Sequence, residues 1–396
     1  AHRWIAGSIV PESLLLHTGI RKVRKGIIPA KLFPFGAAKG VIGHDLTGLD
    51  TGVKMKRYQY LDVARGFGLL LVIISHSCGL SRFLINYYIP LFFVVSGYIY
   101  KEGRSYKENI EHKAKRLLIP YFGYSAVLLA VYVLMGRTLA ETKASAFGIL
   151  YSRYCLYDTT VVKDNVYLFT VANGAMWYLT AFFAASHVYH LVIDRCLSDR
   201  KFLIGTLIVL TAITMALADI PVLLPWSIDL ACVGTIFMIA GTLLGRAQFF
   251  EKKWNIPLIA AVFVIYILTS CLDPGINMSI REYGIYGAFS VPFFIIVGLT
   301  GSLLCIWFGK LIENTAPGRF IAYVGKNTIF LLAFHIFALE VVERIASKFI
   351  AIPVPGSAVV PFVLYHALRI TAAVLGCLVF SEILNRLKKR LRRKTR

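Results

Sequence analysis

The stretch that decides the fold runs from Tyr60 to His76, YLDVARGFGLLLVIISH. Its length and apolarity read as a membrane helix, yet it carries Asp62, Arg65 and His76. Ionisable groups are costly at bilayer depth and mark a site there. Arg65 and His76 are eleven residues apart, almost three whole turns, so they share one helix face about 16 Å apart. Asp62 lies one turn below Arg65 and can pair with it. Gly66 and Gly68 let another helix or a ligand approach the backbone. A long anionic molecule fits such a face, its charged end at Arg65 and its reactive end at His76. The plainer alternative has Arg65 snorkelling to the surface and His76 bonding a neighbouring helix.

The rest of the chain agrees with a membrane setting. Of its 396 residues 57% are hydrophobic and 16% charged, with a mean hydropathy of +0.68, which excludes an ordinary soluble domain. The pattern predicts an all-α, polytopic membrane bundle of about ten helices. The spans fall near 60–80, 84–100, 117–136, 174–193, 201–219, 226–245, 255–272, 286–309, 327–347 and 359–385. The net charge is +22, but Lys and Arg sit between apolar runs, so nucleic acid is not an expected partner. With both termini in the cytoplasm, 33 of the 43 Lys and Arg fall on that side, the positive-inside pattern. Eight lie opposite: Arg82, Arg137, Lys143, Arg153, Lys163, Arg281, Arg344 and Lys348.

Residues 1–54 read as a basic extension without assigned chemistry, since MKRYQYLDVARG at Met55 resembles a natural start. Residues 55–385 form the membrane domain. Residues 386–396, RLKKRLRRKTR, form a cytoplasmic tail that touches anionic lipid. Seven scattered cysteines include no CxxC pair or Cys/His cluster, so no metal site is expected, while a Cys155–Cys271 pairing stays open.

Further motifs follow in order. LFFVVSGY spans Leu91 to Tyr98, Lys113-Ala-Lys-Arg116 precedes Pro120, GAMWYLTAFF spans Gly174 to Phe183, and VGKNTIFLLAFH spans Val324 to His335. Together with Arg65, ten residues and His76, this set resembles acyltransferase family 3, the integral-membrane O-acyltransferases of bacteria. The resemblance covers about residues 57–385 and leans towards the fucose-acetylase-like branch. Lys113 stands where the family has the first Arg of an Arg-x-x-Arg pair, and a lysine has no bidentate fork for a phosphate.

The resemblance implies acyl transfer, usually of acetyl, from a cytoplasmic acyl-CoA to a hydroxyl of a surface glycan or its lipid-linked precursor. The enzyme would sit in the bacterial inner membrane, with acyl-CoA as donor substrate and no permanently bound cofactor. His76 is the expected catalytic base, because an imidazole titrates near neutrality. An acyl-His relay remains an alternative. Arg65, Lys113 and Arg116 are the expected donor-binding cations. Asp62, Ser96, Trp177 and His335 are expected in support: Trp177 stacks on a sugar or anchors at the interface, and His335 contacts substrate or bonds another helix. Asp229 is a candidate partner for the intramembrane Arg369, and Arg281 and Glu282 face the acceptor or pair with each other. The rival classes are a polysaccharide transporter or flippase and a membrane sensor on the same scaffold. Against the transporter, no internal repeat or matched pair of broken segments is visible.

Overall fold

A computed structural model of the chain describes residues 58–79, 82–101, 103, 105–158, 168, 174–273, 277–354, 356 and 358–394. The basic extension 1–54 and Lys163 lie outside these residues. Twelve α-helices and no strand occur among the described residues. They are α1 (Gln59–Cys78), α2 (Arg82–Tyr98), α3 (Tyr106–Leu134), α4 (Leu139–Tyr151), α5 (Trp177–Ser198), α6 (Arg200–Ala218), α7 (Ala231–Arg246), α8 (Ile256–Leu272), α9 (Val291–Ile312), α10 (Ala316–Lys326), α11 (Thr328–Ala346) and α12 (Val359–Lys394). The chain is thus an all-α membrane bundle. Six helical segments are long and apolar enough to cross a bilayer, and α2 and α8 contribute shorter apolar helices.

Each expected span has its helix. The differences lie between them. From Tyr106 onward the basic stretch before Pro120 is helix, because a capping box of Ser105 and Glu108 starts α3 there. Lys113 and Arg116 therefore stand one turn apart on a helix. Two short helices, α4 and α10, were not expected. Thr138 and Glu141 form a second capping box before α4. Thr315 caps α10, with Pro317 in its first turn.

Helix α1 is the hub, packed against α2, α9, α10 and α11. Its crossing with α10 is backbone to backbone. A Cβ on Gly66 would lie 2.0 Å from the Ile321 carbonyl oxygen, and one on Gly325 would lie 1.9 Å from that of Asp62. Only glycine permits this approach. The same holds for α2 on α7, where a Cβ on Gly97 would lie 1.9 Å from the Met238 oxygen and one on Gly241 2.0 Å from that of Val94. The glycines of the ARGFG, VVSGY and VGKN stretches thus set helix separations.

At the end of the bundle to which His76 belongs, a charged knot joins the connecting segments. Asp229 is fully buried and pairs with both Arg153 and Arg281, the latter at 3.4 Å. The two guanidiniums also donate to backbone carbonyls: Arg153 to Leu224 at 3.1 Å, Arg281 to Leu217 at 2.7 Å and to Val222 at 3.0 Å. Asp229 therefore does not partner Arg369, and Arg281 does not pair with Glu282. Arg369 pairs with Glu343 of α11 instead. All seven cysteines are free, so Cys155 and Cys271 are not joined.

Candidate active site

The polar residues of α1 lie in two places. At the first, Arg65 pairs with the buried carboxylate of Asp62 at 3.4 Å. The Lys113 ammonium of α3 donates to Ser96 Oγ of α2 at 3.2 Å and sits 4.5 Å over the Phe182 ring of α5. The charges of Arg116 and Arg65 both act on Lys113. Three cations thus gather at one end of the bundle, Arg65 on the Asp62 carboxylate and Lys113 on Ser96, and Arg116 is exposed. Such an excess of positive charge in a low-dielectric surround favours an anion. Ser96 has its place because Gly97 draws α2 onto α7 and the serine faces the other way, towards α3.

At the second place, about 16 Å along α1, the His76 and His335 rings lie with centroids 5.2 Å apart. They come from residues 259 positions apart in sequence (335 minus 76), yet they form a pair. His76 is exposed, whereas His335 is 1% exposed. The state of His335 follows from its contacts. Nδ1 lies 3.0 Å from the carbonyl oxygens of both Leu331 and Leu332. Carbonyls only accept, so Nδ1 carries the hydrogen and Nε2 presents a bare lone pair. Among the described residues that buried Nε2 has no hydrogen-bond partner. An imidazole edge able to accept a hydrogen bond therefore stands beside His76.

Two residues of α12 also reach this place, Arg369 and His366, of which the sequence singles out only Arg369. Ser77 Oγ bonds His366 Nδ1 at 3.1 Å, and the Ser77 carbonyl accepts from Arg369 at 3.2 Å. The signal for His366 was there in principle, a histidine one turn before an intramembrane arginine.

Trp177 is half-buried and packs edge-on against Tyr178, with centroids 6.4 Å apart. Tyr178 in turn packs on Phe92 at 5.6 Å, and Phe92 lies against Gly68. Helix α5 therefore begins at the depth of Gly68, between Arg65 and His76. Trp177 lies within the bundle at that depth. The structure thus unites Asp62, Arg65, Lys113, Arg116 and Ser96 in one cluster and His76 with His335 in another, with Trp177 at an intermediate depth.

A helical membrane bundle in which one helix, α1, contributes Arg65 to a cation cluster and His76 to a histidine pair defines a class: a membrane protein built for polar chemistry within its span. The comparison narrows this. The family model described as an acyltransferase domain, Acyl_transf_3, matches residues 58–382. The chain therefore belongs to acyltransferase family 3, whose members are membrane acyltransferases. No curated protein and no solved structure gives a significant match.

Proposed function

We propose that the protein moves an acyl group, acetyl in the simplest case, from cytoplasmic acyl-CoA to a hydroxyl of a surface or exported saccharide or its lipid-linked precursor. Its place is a bacterial inner membrane, with both termini in the cytoplasm. The observation that carries this reading is that α1 supplies a residue to each cluster, Arg65 to the cations and His76 to the histidine pair. An anionic, elongated donor meets Arg65, Lys113 and Arg116 at its charged end, while its thioester reaches towards the histidine pair. The depth of Trp177 suits a side chain lining the route between them.

In this reading His76 takes the proton of the acceptor hydroxyl as its oxygen attacks the thioester carbonyl carbon. The C–O bond forms, the C–S bond breaks, and the proton passes to the departing thiolate. Asp62 orients Arg65. A hydrogen bond from the His76 ring to the unpartnered lone pair of His335 Nε2, formed as substrate binds, would leave the other His76 nitrogen free to act as base. In the relay variant His76 itself takes the acyl group first. Sidedness rests on charge. Two of the eight cations opposite the proposed cytoplasm, Arg153 and Arg281, are buried on Asp229, so the exposed positive charge is more one-sided than the sequence count alone.

Mass spectrometry of surface glycans tests the reading. Cells carrying the protein should show acyl-modified sugar that disappears in cells lacking it. The same glycans, equally acylated with and without the protein, would refute it.

A further inference from the structure

We propose that a hollow at the Arg65 end of the bundle, between the ends of α7, α8 and α9, binds a phosphate ester. The hollow has a volume of about 260 Å³ and is walled by Lys252, Lys253, Lys310, Trp254, Trp307 and Phe250. Whole small-molecule sites run from about 300 to 1,000 Å³. This one therefore suits a head group rather than an entire cofactor-sized molecule.

Its charge is the first argument. Three ammonium groups border it, and among the described residues none of them sits in an ion pair. The adjacent acid, Glu251, accepts instead from the Tyr60 hydroxyl at 2.7 Å. Three clustered cations outnumber the one carboxylate beside them, and the remaining positive charge favours an anion.

The second argument is that the hollow is built on a fixed frame. Lys310 donates to the Phe250 carbonyl, which holds its ammonium against the wall and leaves two further N–H groups for a ligand. Trp307 is packed by Phe249 at 5.7 Å and Phe250 at 5.8 Å. The connection before Lys252 turns through Gln248 at φ 47°, a left-handed conformation uncommon for a side chain of this kind. The connection after it is closed by Asn255, whose side chain accepts from Leu258 N at 3.0 Å. Lys252 and Lys253 are thus presented between two locked turns. Exposed Trp254 adds a flat face of the kind that suits a nucleobase or sits at a lipid interface.

The location links the hollow to the cation cluster. Tyr60, which packs on Phe250 at 6.3 Å, precedes Arg65 by five residues on α1. The phosphate ester has two possible sources, the nucleotide end of the proposed donor or the head group of an anionic lipid. The nucleotide source rests on the acyl-CoA reading above, and the lipid source does not.

The test uses the purified full-length protein and the exposed pair, Lys252→Gln with Lys253→Gln. Adenosine 3′,5′-bisphosphate binding is measured by titration. In parallel, the thermal stability of the protein is compared in phosphatidylcholine nanodiscs with and without phosphatidylglycerol. Loss of two charged contacts should weaken the responsible interaction about tenfold or more. Weakened bisphosphate binding identifies the nucleotide source, and a lost phosphatidylglycerol shift identifies the lipid source. Lys252→Arg with Lys253→Arg should keep the wild-type response and excludes misfolding as the cause. If neither response changes in the glutamine variant, the proposal is overturned, whether or not the protein transfers acyl groups. Conversely, a protein that binds the bisphosphate through these lysines but transfers nothing refutes only the acyl-transfer reading.

Discussion

A single hydrogen position decides much at the residue scale. The two carbonyls at Nδ1 leave His335 with a bare, buried lone pair beside His76. His76→Ala should therefore lower acyl transfer by about 10²- to 10⁴-fold, the usual reach of general-base catalysis, with membrane insertion unchanged. His335→Leu keeps an apolar residue of similar bulk but removes the lone pair, and should lower the turnover rate with little change in donor affinity. Rates and donor binding measured on both variants check this, and an equal loss of donor affinity would instead indicate a packing role.

Glu282 gives a second residue-scale prediction, in the connection between α8 and α9. Burial, and then the nearby Asp158, push its carboxyl from 4.5 up to about 7. The folded state thus holds this proton more tightly than the unfolded chain does. Stability should fall as the pH rises from about 4.5 to about 7 and remain lowered above that. Glu282→Gln removes that slope, so it should raise the melting temperature at pH 8 and change it little at pH 4. Melting curves across this range check the sign.

At the scale of the element, the contact of α1 with α10 is the tightest constraint on the Arg65 cluster. Gly325→Ala drives a methyl group into the Asp62 carbonyl and should destabilise by about 1–3 kcal/mol or more, as overpacking does. Gly205→Ala on α6 meets nothing within 4 Å and should stabilise by up to about 1 kcal/mol through helix propensity. Comparing the two melting temperatures isolates the crossing from the general effect of replacing glycine.

The elements also show what a sequence can reveal. The ten long apolar runs were legible because bilayer thickness imposes a length on each. Helices α4 and α10 were not, since 13 and 11 residues are too short to read as spans. Their caps were nonetheless written in the chain, Thr138 with Glu141 before one and Thr315 with Pro317 before the other. Arg65, Asp62 and His76 could be placed on one face because a helix repeats every 3.6 residues. No such rule reaches from His76 to His335, or from Asp229 to Arg153 and Arg281. Those pairings depend on how distant helices pack, so the sequence makes Asp229 a candidate partner for a buried cation without telling Arg369 from Arg153 and Arg281.

For the whole molecule, the testable quantity is orientation. Lys107 on α3 and Lys143 on α4 are both exposed, and the positive-inside count puts them on opposite faces of the membrane. In a background without native cysteines, Lys107→Cys should react with an impermeant thiol reagent only from the cytoplasm. Lys143→Cys should react only from outside. Reversed labelling would invert the proposed donor route.

Helix α12 has a mechanical consequence at this scale. Its 36 residues rise about 54 Å, whereas the hydrocarbon core is about 30 Å thick, so some 24 Å of unbroken helix stands clear of the apolar layer. Ser381 anchors its lower part to Asn327 at 3.1 Å, and Arg369 bears on Ser77 beside His76. From Ser381 the helix runs about 20 Å to its basic end and about 18 Å back to Arg369, two arms of similar length on one rigid rod. A pull on the basic end, from a lipid surface or a docked partner, should therefore reach the histidine pair as a tilt, with Ser381→Ala shifting how acyl transfer responds to anionic lipid.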